Sequence, residues 1–247
     1  VAVSILPLLI IFVAAITETS GPVMRWGSWS TANLLRVINS APEPIFNSIQ
    51  FAGLATLCGV AAAVLASYLI IKKRNALTQA LDYIVVLPLT ISGTVMGIAL
   101  VQAFNTGWLV LTGSASIMVL CYAVRRLPFA VRSASSTLFN IPESIEEASI
   151  SLGVSPLKTF FKIILPAMKA SIISAAVLMW ATTISELAAT IVVYTGGLET
   201  MPIAIFRQVD GGRLGMASAY GAALISVILV PIFAAAKLFR LKLFSNQ

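Results

Sequence analysis

The chain has 247 residues, 59% hydrophobic and 10% charged; a soluble domain carries roughly 25% charged residues, so most of this surface is excluded from water. A spanning helix takes about 20 apolar residues, and this length leaves room for roughly five to seven of them in one compact membrane domain over residues 1–247. The net charge of +7 is not gathered into a basic patch interleaved with aromatics, which excludes nucleic acid, and with no His and both cysteines, Cys58 and Cys121, in apolar runs, zinc sites, His-based catalysis and a disulfide framework are excluded too.

The chain opens inside an apolar run with no initiator Met and no basic n-region. Val1 to Ile16 therefore reads as the first span rather than a signal peptide, and the missing start suggests a truncated chain or the second half of a longer fused protein. Thr17 to Phe46 is polar and turn-rich, with Ser20-Gly21-Pro22 and Pro42-Glu43-Pro44, and reads as an external segment or linker. Further spans are expected at about Asn47 to Ile71, Leu81 to Phe104, Trp108 to Val124, Ala170 to Tyr194 and Met216 to Ala236. The third contains Leu87-Pro88-Leu89-Thr90-Ile91-Ser92-Gly93-Thr94. Proline and glycine in a span suit either a broken helix beside a cavity, with Ser92 and Gly93 on the path, or ordinary close packing through a small residue.

Basic residues in short loops stay on the cytoplasmic side. With the loops after the second, fourth and sixth spans inside, twelve Lys and Arg are internal and only Arg25, Arg36, Arg207 and Arg213 are external. Glu18, Glu43, Glu199 and Asp210 balance those four, so the positive excess is entirely cytoplasmic.

The longest inside segment runs from about Arg125 to Lys169. Ser144-x-x-Glu147 after Pro142 has the form of a capping box, and Ile145, Ala148 and Leu152 recur at helical spacing up to Gly153. A second start follows at Ser155 and Pro156, with Phe160, Phe161, Ile163 and Ile164 leading to a stop at Pro166. The spacing predicts two short helices joined at a glycine corner.

Glu147-Ala148-Ser149, then Gly153, then Ile163, Leu165 and Pro166 resembles the "EAA" loop of the membrane subunits of type I ATP-binding-cassette importers: Glu-Ala-Ala, three residues, Gly, nine residues, Ile, one residue, Leu-Pro. Ser149 alone departs from it, small for small. The resemblance implies an all-α membrane fold of about six spans, with a cytoplasmic coupling helix that inserts into a cleft of the ATPase, Glu147 facing that partner and Gly153 permitting the corner. It also implies the partners: two ATPase subunits, a second permease half (identical, separate or fused) and an external substrate-binding protein, all at the cell inner membrane. The bland alternative is an interfacial helix that only anchors the loop at the lipid surface. No G-x-x-x-x-G-K-[ST] phosphate cradle occurs, so ATP and Mg are expected on a separate ATPase, with no cofactor in this chain.

Glu186 is expected inside the fifth span, roughly 12 Å from its external end at 1.5 Å per residue. A charge at that depth is a functional candidate by default. Ser171, Ser174, Thr182, Glu186 and Thr190 recur at spacings of three, four or eight, which on a continuous helix makes one polar face. Two readings stand: Glu186 fixes an interface with a neighbouring subunit, or, with Thr182 and Thr190, it lines the path of a cationic or metal substrate as a hard oxygen ligand. Ser185-Glu186-Leu187-Ala188-Ala189-Thr190 resembles the fifth-span segment of ferric-iron importer permeases, while permeases for thiamine, phosphonates, polyamines and sulfate share much of the pattern. Outside, residues 196–215 form a loop with a short apolar piece at Met201, Ile203, Ile205 and Phe206. Its charges Arg207, Asp210 and Arg213 either are solvated or touch a binding protein.

An ATP-independent secondary transporter or channel would need inverted repeats and buried coupling-ion sites, and a membrane-bound enzyme a constellation of nucleophile, base or metal ligands. Deep ionisable groups reduce to Glu186, with Asp82 at the mouth of its span, and no enzyme-like cluster occurs in the sequence; co-purification of an ATPase separates these alternatives from an importer half.

Overall fold

The computed structural model describes residues 2–21, 23–39 and 41–244. Val1 of the first expected span and Pro22 of the expected external turn lie outside the described residues. The order is α1 (Ala2–Ala15), β1 (Thr17–Ser20), β2 (Val23–Trp29), α2 (Ala32–Asn39), α3 (Glu43–Lys72), α4 (Ala76–Thr90), α5 (Gly93–Ala103), α6 (Ala115–Phe139), α7 (Glu143–Ser151), α8 (Pro156–Thr159), a π-helical turn (Phe160–Ile164), α9 (Leu165–Ala167), α10 (Lys169–Ile184), α11 (Thr190–Val193), α12 (Met201–Asp210) and α13 (Leu214–Phe244).

By length and composition, two helices suffice to cross a membrane alone, Glu43–Lys72 and Leu214–Lys237. Counting each bent pair as one span, α4 with α5 and Pro156–Ala167 with α10, raises this to four, and α1 contributes a shorter apolar helix, all among the described residues. Pro44 sits in the first turn of α3, where its missing N–H is not needed. α4 begins with a reciprocal cap: the Thr78 N–H donates to Asn75 Oδ1 and the Asn75 N–H donates to Thr78 Oγ1, each at 2.9 Å.

Two compact units group the chain. The first comprises Val1–Gly53, Ser92–Cys121 and Ile184–Gln247; the second comprises Leu54–Ile91 and Tyr122–Thr183. In the first unit α13 packs on α1, α2 and α12, and α5 packs on α11. In the second, two apolar clusters form the core: one joins Ala63, Val85, Val131 and Met179, the other Val64, Leu138, Phe160, Ile164 and Met168.

Several expectations are corrected. The external segment is an antiparallel hairpin followed by α2 rather than a linker. The hairpin pairs Thr17 with Trp29 and Ser20 with Val23, with an irregularity between Thr17 and Thr19, and Gly21 supplies a φ of +61° at its turn. Polar β1 residues hide it from a hydropathy reading, because the close approach is made to Gly215 of α13, where a Cβ would lie 2.2 Å from Thr19 Oγ1. The expected fourth span, Trp108 to Val124, starts later and ends later. Gly107 and Gly113, at φ +105° and +86°, hold the chain in turns until Ser114, and α6 then continues over Arg125, Arg126 and Arg132 to Phe139. The third span does break, but not at its proline. Pro88 lies inside α4, and the interruption falls at Ile91 and Ser92.

Candidate functional site

The segment between α6 and α10 folds as two short helices joined at a glycine. α7 has Pro142 as its N-cap residue with no side-chain cap bond, so the expected Ser144/Glu147 box does not form; Ser144 lies within the helix instead. The start is favoured by Glu143 and Glu146 in the first turn, whose charge complements the helix dipole. At the other end, the Val154 N–H donates to Ser149 O (3.2 Å) and the Gly153 N–H to Ile150 O (2.9 Å). With Gly153 at φ +82°, this pairing satisfies the last carbonyls of α7 and turns the chain, a conformation that costs a β-carbon-bearing residue about 1 kcal/mol or more. The glycine corner is where the spacing put it.

Ser149 is the position that departs from the Glu-Ala-Ala pattern, and it is 6% exposed. Its Oγ lies 2.8 Å from Thr159 Oγ1, and the Thr159 hydroxyl also reaches Ser155 O at 3.2 Å. A buried hydroxyl pair thus ties α7 to α8. Ser155 and Pro156 do open α8, the serine without a side-chain cap bond. The helix does not stop at Pro166. It widens into the π-turn Phe160–Ile164, where the Leu165 N–H reaches back to Phe160 O, then passes through Pro166 in α9 and bends by 68° before α10. A wide turn just before Pro166 relieves the clash its ring would make with a regular α-helical carbonyl.

The same register turns Phe160, Ile164 and Met168 into the core while Phe161 stays exposed. Tyr68 of α3 meets Phe160 edge-on, ring centroids 4.9 Å apart, and its Oη donates to Glu146 Oε1 at 2.5 Å. Lys72 Nζ, one turn on, donates to Ile141 O at 2.9 Å. Tyr68 and Lys72 therefore hold the base of α7 on α3. Neither carries a signal in the sequence, since an aromatic and a lysine at the end of an apolar span read as ordinary interfacial residues.

The apolar residues of α7 do not point inward. Ile145, Ala148 and Leu152 are exposed, Leu152 by 84%, and small polar Ser149 is the buried residue. Glu147 is exposed beside them. Of the remaining motif positions, Leu165 is half-buried while Ile163 and Pro166 are exposed. The loop thus presents a free surface of mixed acidic and apolar character.

The fifth span is likewise interrupted. α10 ends at Ile184 and α11 begins at Thr190, so Ser171, Ser174, Thr182, Glu186 and Thr190 do not share one helical face. The hydroxyls of Ser174 and Thr182 donate back to carbonyls of α10, and that of Ser171 to Met168 O just before it. Glu186 sits in the interruption and is 5% exposed. The Ala189 N–H donates to its carboxylate at 3.2 Å, and the Thr190 hydroxyl donates to its carbonyl at 2.6 Å. Side chain and backbone of one residue thereby organise the entry to α11. That helix packs closely on α5: a Cβ at Gly97 would lie 3.0 Å from Val192 Cβ and 3.1 Å from Ala189 O. Ser92 and Gly93 open α5, Ser92 Oγ accepting from the Val95 N–H at 3.4 Å and Gly93 buried. No group of three or more His, Cys, Asp or Glu is placed to hold a metal among the described residues.

On the remaining loop, Met201 to Asp210 form α12, its first turn buried. Asn47 of α3 donates to Gly197 O and Glu199 O (3.1 and 2.9 Å), and the Met201 N–H donates to Ser48 Oγ at 2.7 Å. Arg207 pairs with Glu199 at 3.0 Å.

Interrupted apolar helices and a glycine-cornered pair of short helices carrying the motif define a transport permease subunit rather than an enzyme. Residues 55–242 match the family described as "binding-protein-dependent transport system inner membrane component", and the chain belongs to that family. It is 29% identical over 188 residues to the ferric transport system permease protein FbpB of Actinobacillus pleuropneumoniae, a match covering 76% of this chain and 27% of the relative. It is 30% identical over 177 residues to a putative 2-aminoethylphosphonate transport system permease protein of Salmonella paratyphi A, covering 71% and 65%. The chain thus spans about a quarter of the ferric relative's length and about two thirds of the phosphonate relative's. A bacterial ABC transporter involved in the import of the acidic polysaccharide alginate has the same fold: TM-score 0.75 at 16% identity, with 95% of this chain and 88% of that chain covered.

Proposed function

We propose that this chain is the permease half of an ATP-driven importer: it accepts cargo from an external binding protein and forms, with a second permease half, the route across the cell inner membrane. ATP and Mg belong to two partner ATPase subunits, which dock on α7 from the cytoplasmic side. The observation that carries this reading is the exposed face of α7, Glu147 with Ala148 and Leu152, on a helix whose other side is fixed by Tyr68 and by the Ser149–Thr159 pair. A helix clamped on one side and bare on the other passes on force applied to its bare side, so closure of an ATPase cleft around it moves the spans.

Ferric iron is the proposed cargo, on the similarity to the ferric permease and to its fifth-span segment; a phosphonate is the second reading, on the similarity to the Salmonella protein. Glu186, Thr182, Thr190, Ser92 and Gly93 are the proposed path residues. The test of docking is co-purification. Wild-type protein brings down an ATPase, and Glu147→Arg, which reverses charge on an exposed residue, inserts normally but loses at least about tenfold in ATPase association, a change of about 1.4 kcal/mol. Undiminished association would refute the docking role. Uptake of ferric iron against 2-aminoethylphosphonate in the same cells decides the cargo.

A further inference from the structure

Close to the base of α7, in the second unit, a cleft of about 240 Å³ lies among the end of α3, the start of α4 and the middle of α6. Its polar lining is Arg74, Thr78, Gln79, Asp82, Arg132 and Ser135. Three features set it apart from an ordinary gap between helices. Two guanidinium groups meet one carboxylate, leaving an excess of one positive charge. Arg132 Nη1 lies 3.1 Å from Asp82 Oδ1, but without hydrogen-bond alignment, and Arg74 has no ion pair among the described residues. Ser135 is 8% exposed, and its hydroxyl has no hydrogen-bond partner among the described residues. A buried hydroxyl left unpaired costs about 1–3 kcal/mol, so a ligand that supplies its hydrogen bond is favoured there.

Arg74 also borders a second cleft, of about 360 Å³, whose other walls include apolar Ile71, Leu138, Phe139 and Ile141. One arginine therefore borders both clefts, the first with two guanidinium groups against one carboxylate and the second with apolar side chains beside Lys72 and Glu143. We propose that this pair of clefts holds the headgroup of an anionic phospholipid: the phosphate lies between Arg74 and Arg132 and takes up the Ser135 hydroxyl, while the glycerol and first acyl carbons lie against Leu138 and Phe139. Guanidinium groups suit phosphate because their planar forks donate in pairs. Basic pockets between spanning helices on the cytoplasmic side are places where acidic headgroups bind. The apolar side chains of the second cleft, Ile71, Leu138, Phe139 and Ile141, favour a lipid over free phosphate, which has nothing to place against them. The placement in the inner leaflet rests on the orientation proposed above, with α7 on the cytoplasmic side. Because Lys72 and Glu143 line the second cleft too, a lipid seated there braces the point where α3 meets α7.

The chain, purified in non-ionic detergent with whatever subunits accompany it, is titrated with short-chain phosphatidylglycerol, short-chain phosphatidylcholine and inorganic phosphate while binding is followed by native mass spectrometry and thermal unfolding. Phosphatidylglycerol is expected to bind at least about tenfold more tightly than phosphatidylcholine and to raise the unfolding temperature, with inorganic phosphate without effect at the same concentrations. Arg74→Gln, at an exposed position that leaves the Arg132–Asp82 pair intact, weakens phosphatidylglycerol binding about fivefold, as expected of one surface charge; Ser135→Ala weakens it less. Arg207→Gln, far along the chain, leaves it unchanged. Equal affinity for the two lipids, an unaltered affinity in Arg74→Gln, or equally tight binding of inorganic phosphate overturns the proposal. The readout is lipid affinity, not ATPase association, so its failure is separable from failure of the docking role.

Discussion

The corner between α7 and α8 and the interruption between α10 and α11 solve the same problem, ending one helix and starting another, by different means. At the corner the information sits in one backbone: Gly153 at φ +82° with its paired return bonds. At the interruption no glycine or proline stands between Ile184 and Thr190; the turn is instead made by side chains, the Glu186 carboxylate on the Ala189 N–H and the Thr190 hydroxyl on the Glu186 carbonyl. A turn written in backbone freedom is fixed in place but chemically inert. A turn written in a carboxylate depends on that side chain, and a cation that engages it competes with the turn.

Substitutions that remove each device sharpen the contrast. Gly153→Pro combines a ring fixed near φ −65° with loss of the N–H that bonds Ile150 O, and is expected to cost about 3 kcal/mol locally, abolishing cargo uptake and ATPase co-purification while the spans still insert; Gly153→Asn, tolerated in the left-handed region, should retain most of both. Normal uptake by Gly153→Pro would show that the corner is dispensable. Next in size is Glu186→Leu, which leaves the buried Ala189 N–H unpaired at about 1–3 kcal/mol and should lower the unfolding temperature by several degrees. Glu186→Gln keeps an acceptor and should unfold close to wild type yet transport poorly; wild-type uptake there would confine Glu186 to building the turn. Tyr68→Phe retains the edge-on contact with Phe160 but loses the bond to Glu146, about 1 kcal/mol, read as faster hydrogen exchange in α7. Ser149→Ala should have the smallest effect, because Thr159 keeps its bond to Ser155 O; a large loss of stability would show that the hydroxyl pair, not the helix packing, sets the loop.

Legibility in the sequence follows the same division. The glycine corner, the start at Pro156 and the long apolar helices α3 and α13 were readable, because proline, glycine and hydropathy act locally. The polar face through Thr182, Glu186 and Thr190 was not, because helical periodicity assumes an unbroken helix and nothing at 185–189 carries a breaker. The orientation of α7 is not legible for a related reason. Apolar residues at helical spacing are read as a buried face, yet Ile145 and Leu152 are bare and the inward contact is made by Ser149, whose partner lies ten residues on. Tyr68 and Lys72 were invisible for want of any local signal; their roles exist only once α3 and the loop are brought together. The hairpin was missed because its packing site is a hydrogen-only position, Gly215, far along the chain.

The length of α3 has a mechanical corollary. Thirty residues of unbroken helix, about 45 Å at 1.5 Å per residue, bear the Asn47 and Ser48 bonds near one tip and the Tyr68 and Lys72 bonds near the other. An α-helix resists stretching because every turn is cross-linked to the next, so it does not absorb an inserted residue locally. Inserting a single residue near its midpoint would advance one tip by about 100° of twist relative to the other, uncoupling the two sets of bonds while preserving every residue that makes them.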